Sequence, residues 1–100
     1  MTEQAAVVVR RNEPLHRYEA ELDGTIVGTI QYRLQLGTVI LVHTETDAAY
    51  GGRGIGSTLA QTALEDLKSR GEKAVVLCPF INAWLTKHPD AYTDVVATDA

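Results

Sequence analysis

Three short stretches hold the groups that chemistry would need: His43-Thr44-Glu45, Gly51-Gly52-Arg53-Gly54-Ile55-Gly56-Ser57, and Cys78-Pro79-Phe80. His43 and Glu45 stand two apart, a spacing that puts both on one face of a strand. A histidine so placed suits a general base, and the carboxylate beside it can orient the ring or act through water. Cys78, as a thiolate, is a nucleophile able to accept an acyl group. Each has a plainer reading: His43 satisfied by a backbone carbonyl, Glu45 as a solvated strand-end carboxylate, Cys78 as a small core hydrophobe.

The glycine stretch puts four glycines in six positions. Glycine loses more conformational freedom on folding than any other residue, so such density needs a compensating turn or a ligand approaching the backbone. A helix pattern follows at once, and amides at a helix N-terminus aim at an anion that the helix dipole favours. The phosphate loop GxxxxGK[ST] fits Gly51 and Gly56 but meets Ser57 where its lysine must stand, which argues against ATP hydrolysis. The dinucleotide fingerprint GxGxxG fails at its third glycine, which would fall on Ser57 or Leu59. What remains is GxxGxG at Gly51, Gly54 and Gly56.

The elements that must position these groups are legible as periodicities. Val7 to Arg11 is a strand stopped by Asn12-Glu13-Pro14. Tyr18, Ala20 and Leu22 alternate with charged residues, and Asp23-Gly24 is a two-residue hairpin turn. In the next strand Ile26, Gly28, Ile30, Tyr32 and Leu34 are expected on one face, and Val27, Thr29, Gln31 and Arg33 on the other. Gly37 turns the chain into a fourth strand, with Val39, Leu41, His43 and Glu45 expected to share a face. Ile55, Leu59, Ala60, Ala63, Leu64 and Leu67 form the apolar stripe of a helix ending at Gly71, and Ala74 to Leu77 reads as a strand buried on both faces. A second, short helix is expected from Asn82 over Ala83 to His88, with Trp84 packing inward and Pro89 ending it. The pattern predicts an α/β (α+β) fold: an antiparallel N-terminal meander, one βαβ crossover making the sheet mixed, and a short C-terminal helix. Ligands in such sheets bind beyond the carboxyl ends of the strands, where the three stretches converge.

With 100 residues, the chain is expected to form a single domain with one modest core. A net charge of −4 argues against nucleic-acid binding by bulk electrostatics. The polar, acidic start MTEQ fits neither a signal nor a transit peptide, and no apolar run approaches membrane-spanning length, so a cytoplasmic protein without membrane partners is expected. The single cysteine excludes an internal disulfide and any CxxC metal pair, and no metal is expected.

The GxxGxG loop, preceded by a strand bearing HTE and opening a helix, resembles the acyl-CoA loop of the GNAT N-acetyltransferase superfamily, usually [QR]xxGxGxx[GA]. HTE, GGRGIG, and CPF followed by WLTKHPDAYTDVV resemble, in order and spacing, its small single-domain family of about one hundred residues, from about Tyr18 to Val96. The chain departs from the pattern at Gly51, where glutamine or arginine is usual, and at Leu59, where a small residue is usual; Arg53 is placed to supply the missing charge. The resemblance implies acetyl-CoA as co-substrate and an amine as acceptor, with Gly51, Gly52, Arg53, Gly54, Ile55, Gly56 and Ser57 at the pyrophosphate and Lys87 and His88 near CoA phosphates. It implies His43 or Glu45 as the proton acceptor, or Cys78 as an acyl relay, and Tyr92 is a candidate proton donor to the departing thiolate. The acceptor-shaping helices common in the superfamily have no room here, which leaves a non-catalytic CoA-binding module as the alternative. A monomer or weak homo-oligomer is expected.

Overall fold

The computed structural model describes residues 7–50 and 54–96. Five strands, β1 (Val8–Asn12), β2 (Arg17–Leu22), β3 (Thr25–Gln35), β4 (Thr38–Thr46) and β5 (Lys73–Val76), form one sheet in the order β1-β2-β3-β4-β5. The first four are antiparallel, and β5 pairs with β4 in parallel. The crossover is α1 (Ile55–Arg70); α2 (Pro79–Lys87) follows β5. Asp23 and Gly24 both have positive φ, 51° and 82°, as the type I′ hairpin turn requires.

The core lies between α1 and one face of the sheet. Ile55, Leu59, Ala60, Ala63, Leu64 and Leu67 are buried against Tyr18, Ala20, Ile30, Tyr32 and Leu41, so the predicted helix stripe is the observed one. Gly71 ends α1 in the left-handed region, φ 70°, with its N–H on the Lys68 carbonyl. Gly28 lies beneath the first turns of α1, where a side chain would meet Ile55 and Leu59.

Two bulges correct the strand faces read from alternation. Ala20 pairs with Gly28 but Glu21 with Ile26, so Val27 is an extra residue in β3. Val27 is thereby buried and Ile26 exposed. Tyr32 pairs with Leu41 but Gln31 with His43, so Val42 is extra in β4. Leu41 therefore faces the helices, while His43 joins Gln31 and Arg17 in a row on the opposite, open face. Glu45 lies on that face as well, in the row of Thr29 and Glu19.

The expectation that β5 is buried on both faces is also corrected. Ala74 is buried but Lys73 is exposed and Leu77 is 61% exposed. The described helices pack on one face, so the opposite side of β5 meets water. The outer edge of β5 is instead covered by the C-terminal segment: Ala74 pairs with Val96 in parallel and donates its N–H to the Val95 carbonyl at 2.9 Å. Helix α2 begins at Pro79, earlier than Asn82, because proline at the first helical position supplies a preset φ and lacks only an N–H that would go unpaired there.

At the end of the sheet near the C-terminus of α1, charges are drawn under the helix. The Arg11 side chain is 6% exposed and donates to Glu72 at 2.7 Å and to the Tyr32 hydroxyl at 3.0 Å. Burial opposes its charge, but these bonds outweigh burial and hold its pKa above the ordinary arginine value. The Tyr18 hydroxyl donates to Asp66 at 2.7 Å, and Asp66 also accepts from Arg70 at 2.7 Å. Burial first, then the bond to Asp66, push the Tyr18 phenol well above its ordinary range.

Candidate functional site

The parallel pair β4–β5 sets the site. Its register ends at Leu41↔Val76, where the Leu41 carbonyl accepts the N–H groups of both Leu77 and Cys78, at 2.9 and 3.1 Å. Beyond this fork β4 runs on to Thr46 while the chain after β5 turns away into α2. The strands part, and the opening faces the N-terminus of α1.

Gly54 caps α1 in the left-handed region, φ 71°, without a side-chain cap bond. The first intrahelical bond runs from the Thr58 N–H to the Gly54 carbonyl at 3.0 Å, so the amides of Ile55, Gly56 and Ser57 have no intrahelical acceptor. Together with Thr44, Thr46, Tyr50 and Phe80, residues Gly54 to Ser57 line a slot of about 280 Å³. Phe80, on the first turn of α2, lies so close over Gly56 that a Cβ there would stand 2.6 Å from its ring. Gly51, Gly52 and Arg53 lie outside the described residues.

The remaining predicted residues fall into three places. Cys78 caps α2 in an extended conformation, 1% exposed, with Sγ 2.9 Å from Thr44 Oγ1 across the parting strands. It is enclosed by the fork rather than displayed at its mouth. His43 and Glu45 lie on the open face, with side chains 52% and 67% exposed and Nε2 3.3 Å from Oε2. They border a shallow groove of about 660 Å³ with Thr29 and Asp47. Lys87 and His88 lie at the other end of α2 from Phe80, about 12 Å along the axis. His88 lines a different hollow, with Trp84 and Tyr92. The structure thus joins Gly54–Ser57 to Thr44 and sets His43–Glu45 on the opposite face of the sheet.

Sequence reading did not single out Thr44, Thr46, Tyr50 or Gly28. The alternation of β4 placed Thr44 on the face away from the helices, and only the extra residue Val42 turns it toward Cys78. Among the described residues, no group of three His, Cys, Asp or Glu side chains is arranged to hold a metal ion, and no helix is long and apolar enough to cross a membrane.

An antiparallel meander closed by one parallel crossover, with a glycine-capped helix pointing at the fork of the last two strands, is the mixed α/β fold of GCN5-like N-acetyltransferases. The solution NMR structure of a GCN5-like protein from Staphylococcus aureus shares it, with a TM-score of 0.68 over 93% of this chain and 90% of that chain. At 22% identity that likeness is one of fold. The GCN5-related N-acetyltransferase family matches residues 17–95, and the chain belongs to this family. No curated protein matches the chain.

Proposed function

We propose that the protein transfers an acetyl group from acetyl-CoA to an amine. The observation that carries this reading is the slot at the fork: first-turn amides of α1 with no intrahelical acceptor and the parting ends of β4 and β5 on one cavity. The Ile55, Gly56 and Ser57 amides and the helix dipole hold the cofactor pyrophosphate. The edge of β4 beyond Leu41 receives the pantetheine arm, bringing the thioester to the gap between the strands.

The acceptor comes from the open face, through the groove beside His43 and Glu45, which shares Thr44 and Thr46 with the slot. With Nε2–H donated to Glu45, the His43 Nδ1 is left to take the proton as the amine nitrogen attacks the thioester carbon. The C–N bond forms, the C–S bond breaks, and CoA leaves as a thiolate that is then protonated. Direct transfer is favoured over a relay through Cys78, because the thiol is enclosed and its hydrogen-bond partner is the neutral Thr44 hydroxyl rather than a base. The Tyr92 hydroxyl donates a hydrogen bond to Glu65 at 2.8 Å, and burial and then that bond push its pKa up to about 12.

Calorimetric titration with acetyl-CoA tests the reading. Gly54→Val forces a β-branched residue to φ 71° and is expected to weaken binding at least tenfold. Unchanged affinity in a folded variant would refute the cradle. A passive CoA-binding module is the second reading, favoured by the open, unroofed face bearing His43. Acetylation of a polyamine or lysine peptide, lost in His43→Ala with acetyl-CoA affinity retained, decides for the enzyme. Affinity with no turnover decides for the module.

A further inference from the structure

Thr44 and Thr46 line both the slot at the fork and the groove on the open face. Thr46 is exposed, whereas Thr44 is partly buried and has a fixed partner. Thr44 pairs across the sheet with Ile30, which is buried on the helix side, so its side chain lies on that face and away from His43. Its Oγ1 stands 2.9 Å from Cys78 Sγ, a side-chain link across the strands after their backbone ladder has ended at Leu41.

That link constrains where the hydroxyl sends its hydrogen. A hydroxyl has one hydrogen and two lone pairs, while a thiol is a weak donor and a weak acceptor. Cys78 is 1% exposed, and Thr44 Oγ1 is the hydrogen-bond partner of its sulfur among the described residues. An acceptor brought into the slot beside Thr44 settles the direction: the thiol donates to Oγ1, and the Thr44 O–H donates to the newcomer. The reverse arrangement spends the stronger donor on sulfur and turns an oxygen lone pair toward another acceptor. Two such bonds in a chain also polarise one another.

We propose that Thr44 is a catalytic hydrogen-bond donor to the thioester carbonyl oxygen, and that Cys78 is the positioning residue that holds the Thr44 hydroxyl in this direction. The proposal rests on the acetyl-CoA reading of the slot, which brings the thioester to the gap that Thr44 and Cys78 span. His43 and Thr44 are consecutive residues on opposite faces of β4, and each meets one charge change of the attack. As the amine nitrogen bonds to the thioester carbon, its proton passes to His43 Nδ1 on the open side. The carbonyl π pair moves onto oxygen, where the bond accepted from the Thr44 O–H grows stronger. When that pair re-forms the carbonyl, the C–S bond breaks and its electrons leave with CoA as the thiolate. Thr44 keeps its proton and Cys78 its thiol throughout, so the cysteine serves the reaction without carrying the acyl group.

Acetyl-CoA labelled with ¹³C at the carbonyl, bound without an acceptor, reports this bond in isotope-edited infrared spectra, because a hydrogen bond lowers the carbonyl stretching frequency. The band is expected lower in the wild type than in Thr44→Val, which keeps the shape and removes the hydroxyl. With a polyamine or lysine peptide as acceptor, Thr44→Val should lower kcat about 100- to 1,000-fold, the worth of one oxyanion donor. It should weaken acetyl-CoA by less than about tenfold, as loss of one neutral hydrogen bond does. Thr44→Ser should recover most of the band shift and of kcat, and Thr44→Ala answers the same question if valine disturbs the fork. Cys78→Ala frees the hydroxyl to turn, so the band should broaden while kcat falls less than about tenfold; Cys78→Ser, which still donates, should narrow the band again. A folded Thr44→Val with wild-type kcat and an unmoved band would overturn the proposal and leave the acetyl-CoA reading intact. Loss of all turnover in Cys78→Ala, with an acetyl group found on the wild-type thiol, would replace it with a relay. Absence of acetyl-CoA binding to the wild type would remove both the proposal and the reading beneath it.

Discussion

Gly28→Ala isolates the contact that seats α1 on the sheet. A Cβ built on Gly28 would stand 2.8 Å from Leu59 Cδ1, 3.0 Å from Ile55 Cγ2 and 3.2 Å from the Glu45 carbonyl oxygen. Leu59 and Ile55 are buried, and the third neighbour is backbone, so the side-chain ends have little room to swing aside. Relief requires the first turns of α1 to lift by a few tenths of an ångström. Overpacking of this kind costs about 1–3 kcal/mol, and about 0.5–1 kcal/mol returns because alanine gives up less backbone entropy in a strand than glycine. A net loss of about 1 kcal/mol, near the middle of the resulting range, lowers Tm by roughly 4–8 °C in a domain of this size. Thermal unfolding followed by circular dichroism measures it, and a double-mutant cycle with Leu59→Ala assigns it: trimming Leu59 should relieve part of the penalty. A Tm equal to or above wild type would show that α1 does not rest on Gly28 as described. Because α1 also carries the glycine cap, acetyl-CoA affinity should fall along with stability.

Other expectations follow from the charged end of the sheet. In the unfolded chain a tyrosine ionises near pH 10, whereas burial and Asp66 keep Tyr18 protonated well above that in the folded chain. Only the unfolded state releases this proton as pH rises past about 10, so the stabilisation is complete below that pH and is lost above it. Tyr18→Phe should lower stability by about 1–2 kcal/mol at neutral pH and flatten the alkaline limb in urea unfolding; an unchanged limb would count against the assignment. Arg11→Met keeps the aliphatic stem but leaves Glu72 unpaired; as Glu72 is about one-third exposed and can rehydrate, the loss should be about 1–3 kcal/mol rather than that of a fully buried pair, read from the same unfolding curves. Glu19 is held below the ordinary carboxylate range by its bond to Arg17, against an opposing effect of burial, and then by Asn12. Its contribution is therefore present above about pH 4.3 and lost as pH falls further, and Arg17→Ala should soften that acid limb.

Much of this architecture was legible in the amino-acid sequence, for identifiable reasons. The α1 stripe, its end at Gly71 and the Asp23-Gly24 turn each carry a residue-type signature that backbone geometry demands. The bulges carry none: Val27 lies in a run of strand formers and Val42 between Leu41 and His43, and either sequence reads as unbroken alternation. That one unseen residue in β4 moved His43 and Glu45 from the core face to the open face and put Thr44 against Cys78. The apolar run from Ala74 to Leu77 implied a layer on each side of the sheet, but an apolar strand cannot report whether a second layer exists. Nor could composition show that a residue as distant as Val96 returns to cover the edge of β5.

The strictly sequential strand order has a consequence for how the protein comes into being. Each antiparallel pairing joins chain neighbours through a short turn, so the meander can zip from local contacts at little loop-closure cost. The pairing of β4 with β5 must wait until the whole of α1 lies between them and has docked. The fork at Leu41 is created by that less local pairing. Until then the helix N-terminus has no opposing strand edge, and a nascent or half-folded chain holds no slot at the fork. Ligand binding in a refolding experiment should therefore lag the appearance of sheet signal and report completion of the fold.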